Sequence, residues 1–245
     1  MAELTGRTLI ITGASMGIGR VLALELAGIG VNLVLNARHA PALEKAAAAC
    51  TPHGIKVRPV AGNIARSGTA TETVNQALAL GHFYGFIHAA GVLHPGPLLW
   101  ELSPRKFREV LDSHVTGAYQ LIRAAVPALL VQGEGLAVFF GSGAAETLIP
   151  GIGAYCVAKA AEEHLARELA AEAPAITSFV FRPPATETRM QRQARKSTGG
   201  GAENLHRRFG GYKDRGELST PEAEARALVR MLINDPRRLH GKIAD

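Results

Sequence analysis

Cysteine is nearly missing from this chain, and that absence already excludes one architecture. Cys50 and Cys156 are the only two in 245 residues; they cannot build a disulfide framework, and a chain of this length does not need one. The composition suits a reducing compartment. Aromatic residues are sparse at 5%, and without any groove-reading motif this argues against a nucleic-acid partner. Long apolar runs are missing too. The best, Val21 to Leu35, is interrupted by Glu25 and Asn32, so nothing approaches the roughly 18 apolar residues of a membrane span. Met1 leads directly into an apolar strand and a glycine loop, leaving no room for a removable signal peptide. A soluble, cytoplasmic protein without a metal site is expected.

What is present is a 47% hydrophobic chain with a formal charge of +6, enough for one sizeable core and one domain spanning 1–245. The excess charge is local. Between Arg189 and Arg215 there are eight basic residues and two acids, so the rest of the chain is neutral. This polar stretch, Gln191 to Gly216 with Gly199-Gly200-Gly201, reads as a long loop, and such loops inside compact domains are usually functional lids or mobile segments.

Elsewhere, short β-rich apolar runs alternate with Ala-rich segments of helical period, the pattern of an α/β fold with a doubly wound parallel sheet and helices on both faces. Strands are predicted at Thr8–Thr12, Val31–Asn36, Ile55–Val60, Gly85–Ala89, Leu136–Phe140 and Ile176–Phe181. The predicted helices are Ile18–Leu26, Pro41–Ala49, Thr69–Leu80, Pro104–Ala125 and Ala154–Ala171. Ser103-Pro104 and Thr220-Pro221 each place a capping hydroxyl before a proline at the first helical position.

The first strand runs into Thr12-Gly13-Ala14-Ser15-Met16-Gly17-Ile18-Gly19. Glycines there permit positive φ and close backbone approach, while the helix start favours an anion such as a pyrophosphate. A tight turn without ligand is the plainer alternative. The same residues match the G-x-S-x-G elbow of α/β-hydrolases, but only one strand precedes Ser15, whereas those enzymes draw part of the oxyanion hole from an earlier strand. The second strand ends at Asn36-Ala37-Arg38. An arginine without a nearby acid suits a 2′-phosphate, hence NADP(H) over NAD(H). Asn63, past the third strand, reads equally as an adenine contact or a turn residue.

Ser142 ends the fifth predicted strand, and Tyr155 and Lys159 follow on one helix. Their i, i+4 spacing puts phenol and ammonium on one face, where a cation favours the phenolate and fits the tyrosine for acid/base work. With these residues in order, the chain resembles a short-chain dehydrogenase/reductase of the shorter, single-domain kind. The Thr12-Gly13-x-x-x-Gly17-x-Gly19 loop, His88-Ala89-Ala90-Gly91 in place of Asn-Asn-Ala-Gly, and Ser142 with Tyr155-x-x-x-Lys159 carry the likeness.

The resemblance implies a Rossmann-type fold and hydride transfer between NADP(H) and a carbonyl or secondary alcohol. Ser142 would orient the substrate and Tyr155 would pass the proton. Lys159 would bind the nicotinamide ribose and lower the Tyr155 pKa. Cofactor contacts would come from Gly13, Ser15, Gly17, Ile18, Gly19, Arg38, Asn63, Ile64, Ala90, Gly91, Tyr155, Lys159, Pro183 and Thr188. A basic lid at about 189–216 would cover the substrate, and Arg192, Arg195, Lys196, Arg207 and Arg208 would draw in the cofactor or an anionic substrate group. The Ala-rich helices would form a homodimer or homotetramer.

Departures from the family pattern are also legible. His88 and Ala89 replace two asparagines, Pro184 replaces a glycine, and the final strand must be short. His114-Val115-Thr116-Gly117 stands where Asn-x-x-Gly is usual, so His114 either holds a relay water in another geometry or is a core histidine satisfied by backbone. A protein of this fold that binds NADP(H) with little turnover is the competing class. Trp100 and Leu98-Leu99 read as core or as pocket lining, with core the stronger expectation.

Overall fold

The computed structural model describes residues 4–245. Its strands are β1 (Thr8–Thr12), β2 (Asn32–Ala37), β3 (Val57–Ala61), β4 (Phe83–His88), β5 (Gly135–Phe140), β6 (Ile176–Phe181) and β7 (Ile243–Ala244). The helices are α1 (Gly17–Gly28), α2 (Ala40–Cys50), α3 (Ser67–Leu80), α4 (Pro104–Leu111), α5 (Gly117–Gln132), α6 (Gly153–Glu172), α7 (Arg189–Arg195), α8 (Ala202–Asp214) and α9 (Pro221–Asn234). All strand pairs are parallel, in the order β3-β2-β1-β4-β5-β6-β7. Helices α1, α2 and α9 pack on one face and α3, α5 and α6 on the other.

Every residue of β1, β4, β5 and β6 is buried, because helices cover both faces. Leu9, Ile10, Phe86 and Phe139 are wholly enclosed, each contributing about 1.5–3 kcal/mol of apolar burial. β3 is the exception: it is an edge strand, and Pro59 sits there without interrupting an interior ladder. After β3 the chain crosses over to pair β4 with β1, so strand order reverses between β1 and β4. That reversal opens a crevice at the carboxyl ends of the strands.

Most predicted strands fall within two residues of those observed, and Ser103 and Thr220 cap α4 and α9. Two segments differ more. The helix predicted at Pro104–Ala125 runs on to Gln132 and contains a π-helical turn, Asp112–Thr116. The basic stretch read as a loop is helical, forming α7 and α8. Thr188 Oγ1 accepts the Gln191 N–H at the start of α7, and the enclosed Leu205 anchors α8. The glycine triplet is not a slack linker either: Gly201 N–H donates to Gly96 O, and Gly96 N–H donates to Gly151 O, both at 2.8 Å. Glycines allow those backbones to touch.

Candidate functional site

The crevice widens into one cavity of about 1130 Å³, walled by the β1–α1 loop, the ends of β2, β4 and β5, the start of α6 and the underside of α7 and α8. It brings together all the residues expected to hold a cofactor or perform chemistry. Gly13, Ser15, Gly17, Ile18 and Gly19 form one wall, with Arg38, Asn63 and Ile64 beyond them; Ala90, Gly91 and His114 lie toward the middle; Ser142, Tyr155 and Lys159 face Pro183 and Thr188.

The glycine wall is a backbone surface. Gly13 has φ +68°, and a Cβ there would stand 2.6 Å from Ala89 O, so a side chain would push β1 and β4 apart. The first turn of α1 has neither a side-chain cap nor an acid, which leaves its N–H groups for an anion. Arg38 is exposed at the rim without an ion pair among the described residues. Asn63 Oδ1 accepts the Ala65 N–H at 3.1 Å, the turn role, while the residue also lines the cavity. Among the described residues Ser15 has no hydrogen bond to a histidine, and it faces this wall, so the hydrolase alternative finds no partner for it.

The opposite wall carries the ionisable groups. Tyr155, half-buried, meets the His114 ring edge to face at 5.2 Å, and Lys159 Nζ lies 5.7 Å from the Tyr155 ring centre. Ser142 Oγ accepts the Ala144 N–H at 3.2 Å, starting a short 3-10 turn. Lys159 Nζ donates to Phe140 O at 2.6 Å and to Glu162 Oε2 at 2.8 Å.

His114 is buried, with Nδ1 3.2 Å from Glu162 Oε2 and Nε2 3.1 Å from Val92 O and 3.3 Å from Val92 N. Both ring nitrogens are therefore engaged by protein. His88 Nδ1 meets Thr12 Oγ1 at 2.9 Å and Nε2 meets Ser113 O at 3.1 Å. It thus ties β4 to β1 and to the π turn.

Burial sets the protonation of these groups. It pushes the His88 imidazole down to about 4 against the pull of Glu162, and it also holds His114 below its ordinary value. Burial opposes the Lys159 ammonium as well, but the Glu162 carboxylate and other neighbours outweigh it, so its pKa is raised. Burial likewise opposes the Glu162 carboxylate; Lys159, His114 and His88 together keep its pKa low.

Two acids that pattern reasoning passed over hold this wall together. Glu163 Oε1 accepts the Ser142 N–H at 3.0 Å and Arg182 Nε at 2.8 Å, and its Oε2 accepts Arg182 at 2.6 Å. Their spacing of three and four residues from Lys159 was the available signal, but such spacing usually marks a solvent-exposed pair. Met190 and Gln193 of α7 and Phe209 and Tyr212 of α8 were also missed and line the cavity.

Of the five cations expected to attract an anion, Arg192 and Arg195 pair with Glu187, and Arg207 pairs with Glu203. Arg208 alone lines the cavity, and Arg189, outside that group, joins it. Trp100 is 81% exposed and Leu99 54%. Neither belongs to the core or the main cavity, because the turn before α4 carries them outward.

A fold with this strand reversal, a glycine-walled crevice and Ser, Tyr and Lys on its far side defines a class of nucleotide-dependent oxidoreductases. The family model described as short chain dehydrogenase matches residues 7–199, and the chain belongs to that family. It is 29% identical over its whole length to an uncharacterized oxidoreductase of Schizosaccharomyces pombe, covering 98% of that protein. Over 68% of its length it is 31% identical to an NADPH-dependent pterin aldehyde reductase of Arabidopsis thaliana, covering 69% of it. The crystal structure of an NAD+-bound xylitol dehydrogenase superposes over 99% of this chain and 98% of its own with a TM-score of 0.87 at 22% identity, a likeness of fold.

Proposed function

We propose that the protein is an NADP(H)-dependent oxidoreductase that interconverts a carbonyl compound and a secondary alcohol. The observation that carries the reading is the single cavity that joins a backbone-walled anion cradle to Ser142, Tyr155 and Lys159. The cradle fits a dinucleotide: Gly13 and Gly17, both at positive φ, keep its wall bare of side chains, and the uncapped α1 start suits the pyrophosphate. Arg38 at the rim suits a 2′-phosphate, in keeping with the NADPH-dependent reductase among the relatives. Asn63, Ile64, Ala90, Gly91, Pro183 and Thr188 complete the wall that would hold adenosine and nicotinamide.

When bound, the nucleotide supplies or accepts the hydride. The chain's own residues handle the proton and the geometry. Ser142 orients the carbonyl or hydroxyl oxygen, and its backbone is fixed by Glu163. Tyr155 donates its phenolic proton to the forming alkoxide in reduction and takes it back in oxidation. Lys159 holds the ribose and sets its positive charge 5.7 Å from the Tyr155 ring centre. Arg208, the lid cation facing the cavity, draws an anionic substituent of the substrate.

Exposed Tyr119, Leu130 and Val131 on α5 and Val157 on α6 support a homo-oligomer built on those helices. Two free thiols suit a reducing compartment such as the cytoplasm. The competing reading, a nucleotide-binding protein with little turnover, draws on the capture of the Lys159 ammonium by Glu162 and Phe140. Comparing NADPH and NADH affinities in wild type and Arg38→Ala tests the cofactor reading: NADPH affinity should fall about tenfold or more with NADH little changed, and an equal effect on both would refute it.

A further inference from the structure

Glu162 stands at the centre of a closed group of ionisable side chains. It is 0% exposed, as is His88, while His114 is 1% and Lys159 4% exposed. Its Oε2 receives the Lys159 ammonium and faces His114 Nδ1; its Oε1 has no hydrogen-bond partner among the described residues and lies 3.9 Å from His88 Nε2. The two positions where this chain carries histidine in place of a motif asparagine are therefore the two histidines that face this carboxylate. Enclosing a carboxylate costs several kcal/mol unless it is paired, so its presence here calls for a role that an apolar side chain could not fill.

We propose that Glu162 is a positioning residue of the catalytic centre: its carboxylate anchors the Lys159 ammonium against the Phe140 carbonyl and supplies the counter-charge to that nearly buried lysine at the cavity wall. The inference rests on the roles given above to Tyr155 and Lys159. The groups facing Lys159 are Glu162, Glu163 and Tyr155 from α6, His114 from the π turn and His88 from β4, with Arg182 neutralising Glu163 from the end of β6. The histidines are neutral near pH 7, so Glu162 is the one carboxylate bonded to Lys159. With Glu162 ionised, His114 carries its hydrogen on Nδ1 and donates it to Oε2, which steadies the carboxylate and sets the ring edge against Tyr155.

Charge removal and simple loss of packing predict different results. In Glu162→Gln the ammonium is enclosed without a counter-charge and its pKa falls below that of the unfolded chain. The variant should then melt well below wild type at pH 7, and the deficit should shrink as pH rises toward 10, since the folded lysine sheds its proton first. Lys159→Met/Glu162→Val, which removes both charges, should recover most of the melting temperature. A pH-independent deficit, or a double variant no more stable than Glu162→Gln or unable to fold, would overturn the pairing.

Where wild type reduces a carbonyl compound with NADPH, the falling alkaline limb of kcat should move down by about one pH unit or more in Glu162→Gln, because loss of the negative charge lets Lys159 give up its proton sooner. Glu162→Asp should retain the wild-type limb. A uniformly lower kcat with an unmoved limb would reduce Glu162 to packing. Absence of turnover in wild type itself would refute the oxidoreductase reading, and the melting series would still decide the pairing.

Discussion

The floor and the roof of the cavity handle charge in opposite ways. The roof, the segment 189–215 that holds α7 and α8, carries the whole formal excess of the chain, yet four of its eight cations are matched by nearby acids: Glu187 and Glu217, which flank the segment, and Glu203 within it. The floor contributes almost nothing to net charge. Its Lys159, Glu162, Glu163 and the two histidines are enclosed, so each charge there must be matched or removed. Net charge thus points to the wrong surface: the energetic weight of electrostatics lies in the neutral interior, and only Arg208 and Arg189 bring roof charge to the cavity.

Substitutions at the two surfaces should separate them. Arg182→Met leaves Glu163 enclosed with only the Ser142 N–H as donor, and chemical denaturation should show a loss of about 3–5 kcal/mol; a loss under about 1 kcal/mol would mean that the floor behaves like the roof. Next in size is the acid response. His88 is neutral when folded, with a pKa of about 4, and about 6.5 when unfolded. Between those values the unfolded chain binds the extra proton, so stability is full above about pH 6.5 and falls as pH drops toward 4, by up to about 3 kcal/mol. In His88→Asn that slope should flatten.

On the roof, Arg208→Gln should raise KM for an anionic carbonyl substrate about tenfold at low salt, with the difference shrinking at high salt. Arg192→Gln and Arg207→Gln should leave KM unchanged and shift stability by no more than about 1 kcal/mol. Equal KM effects from all three would restore the picture of a diffuse basic lid.

The sheet and the glycine wall were legible because period-2 and helical runs alternate cleanly and because Gly13, Gly17 and Gly19 follow a strand directly. Three features were hidden for physical reasons. The helices of the roof lack an apolar stripe, and the apolar residues they fully enclose are Ala194 of α7 and Leu205 of α8, so composition imitated a loop. The π turn at Asp112–Thr116 leaves no mark on hydrophobic spacing, although it holds His114 beside Glu162. Glu162 and Glu163 look like surface partners of a helical lysine; only the packing of α6 against β5, β6 and the π turn encloses them.

Initial rates of NADPH oxidation across a panel of ketones, 3-ketoacyl thioesters, sugars and steroids, measured for wild type and Tyr155→Phe, test the central claim most directly. The account predicts that at least one carbonyl compound is turned over by wild type and that Tyr155→Phe loses about 100-fold or more of that rate while still binding NADPH. Wild-type rates no greater than those of Tyr155→Phe across the panel would contradict it.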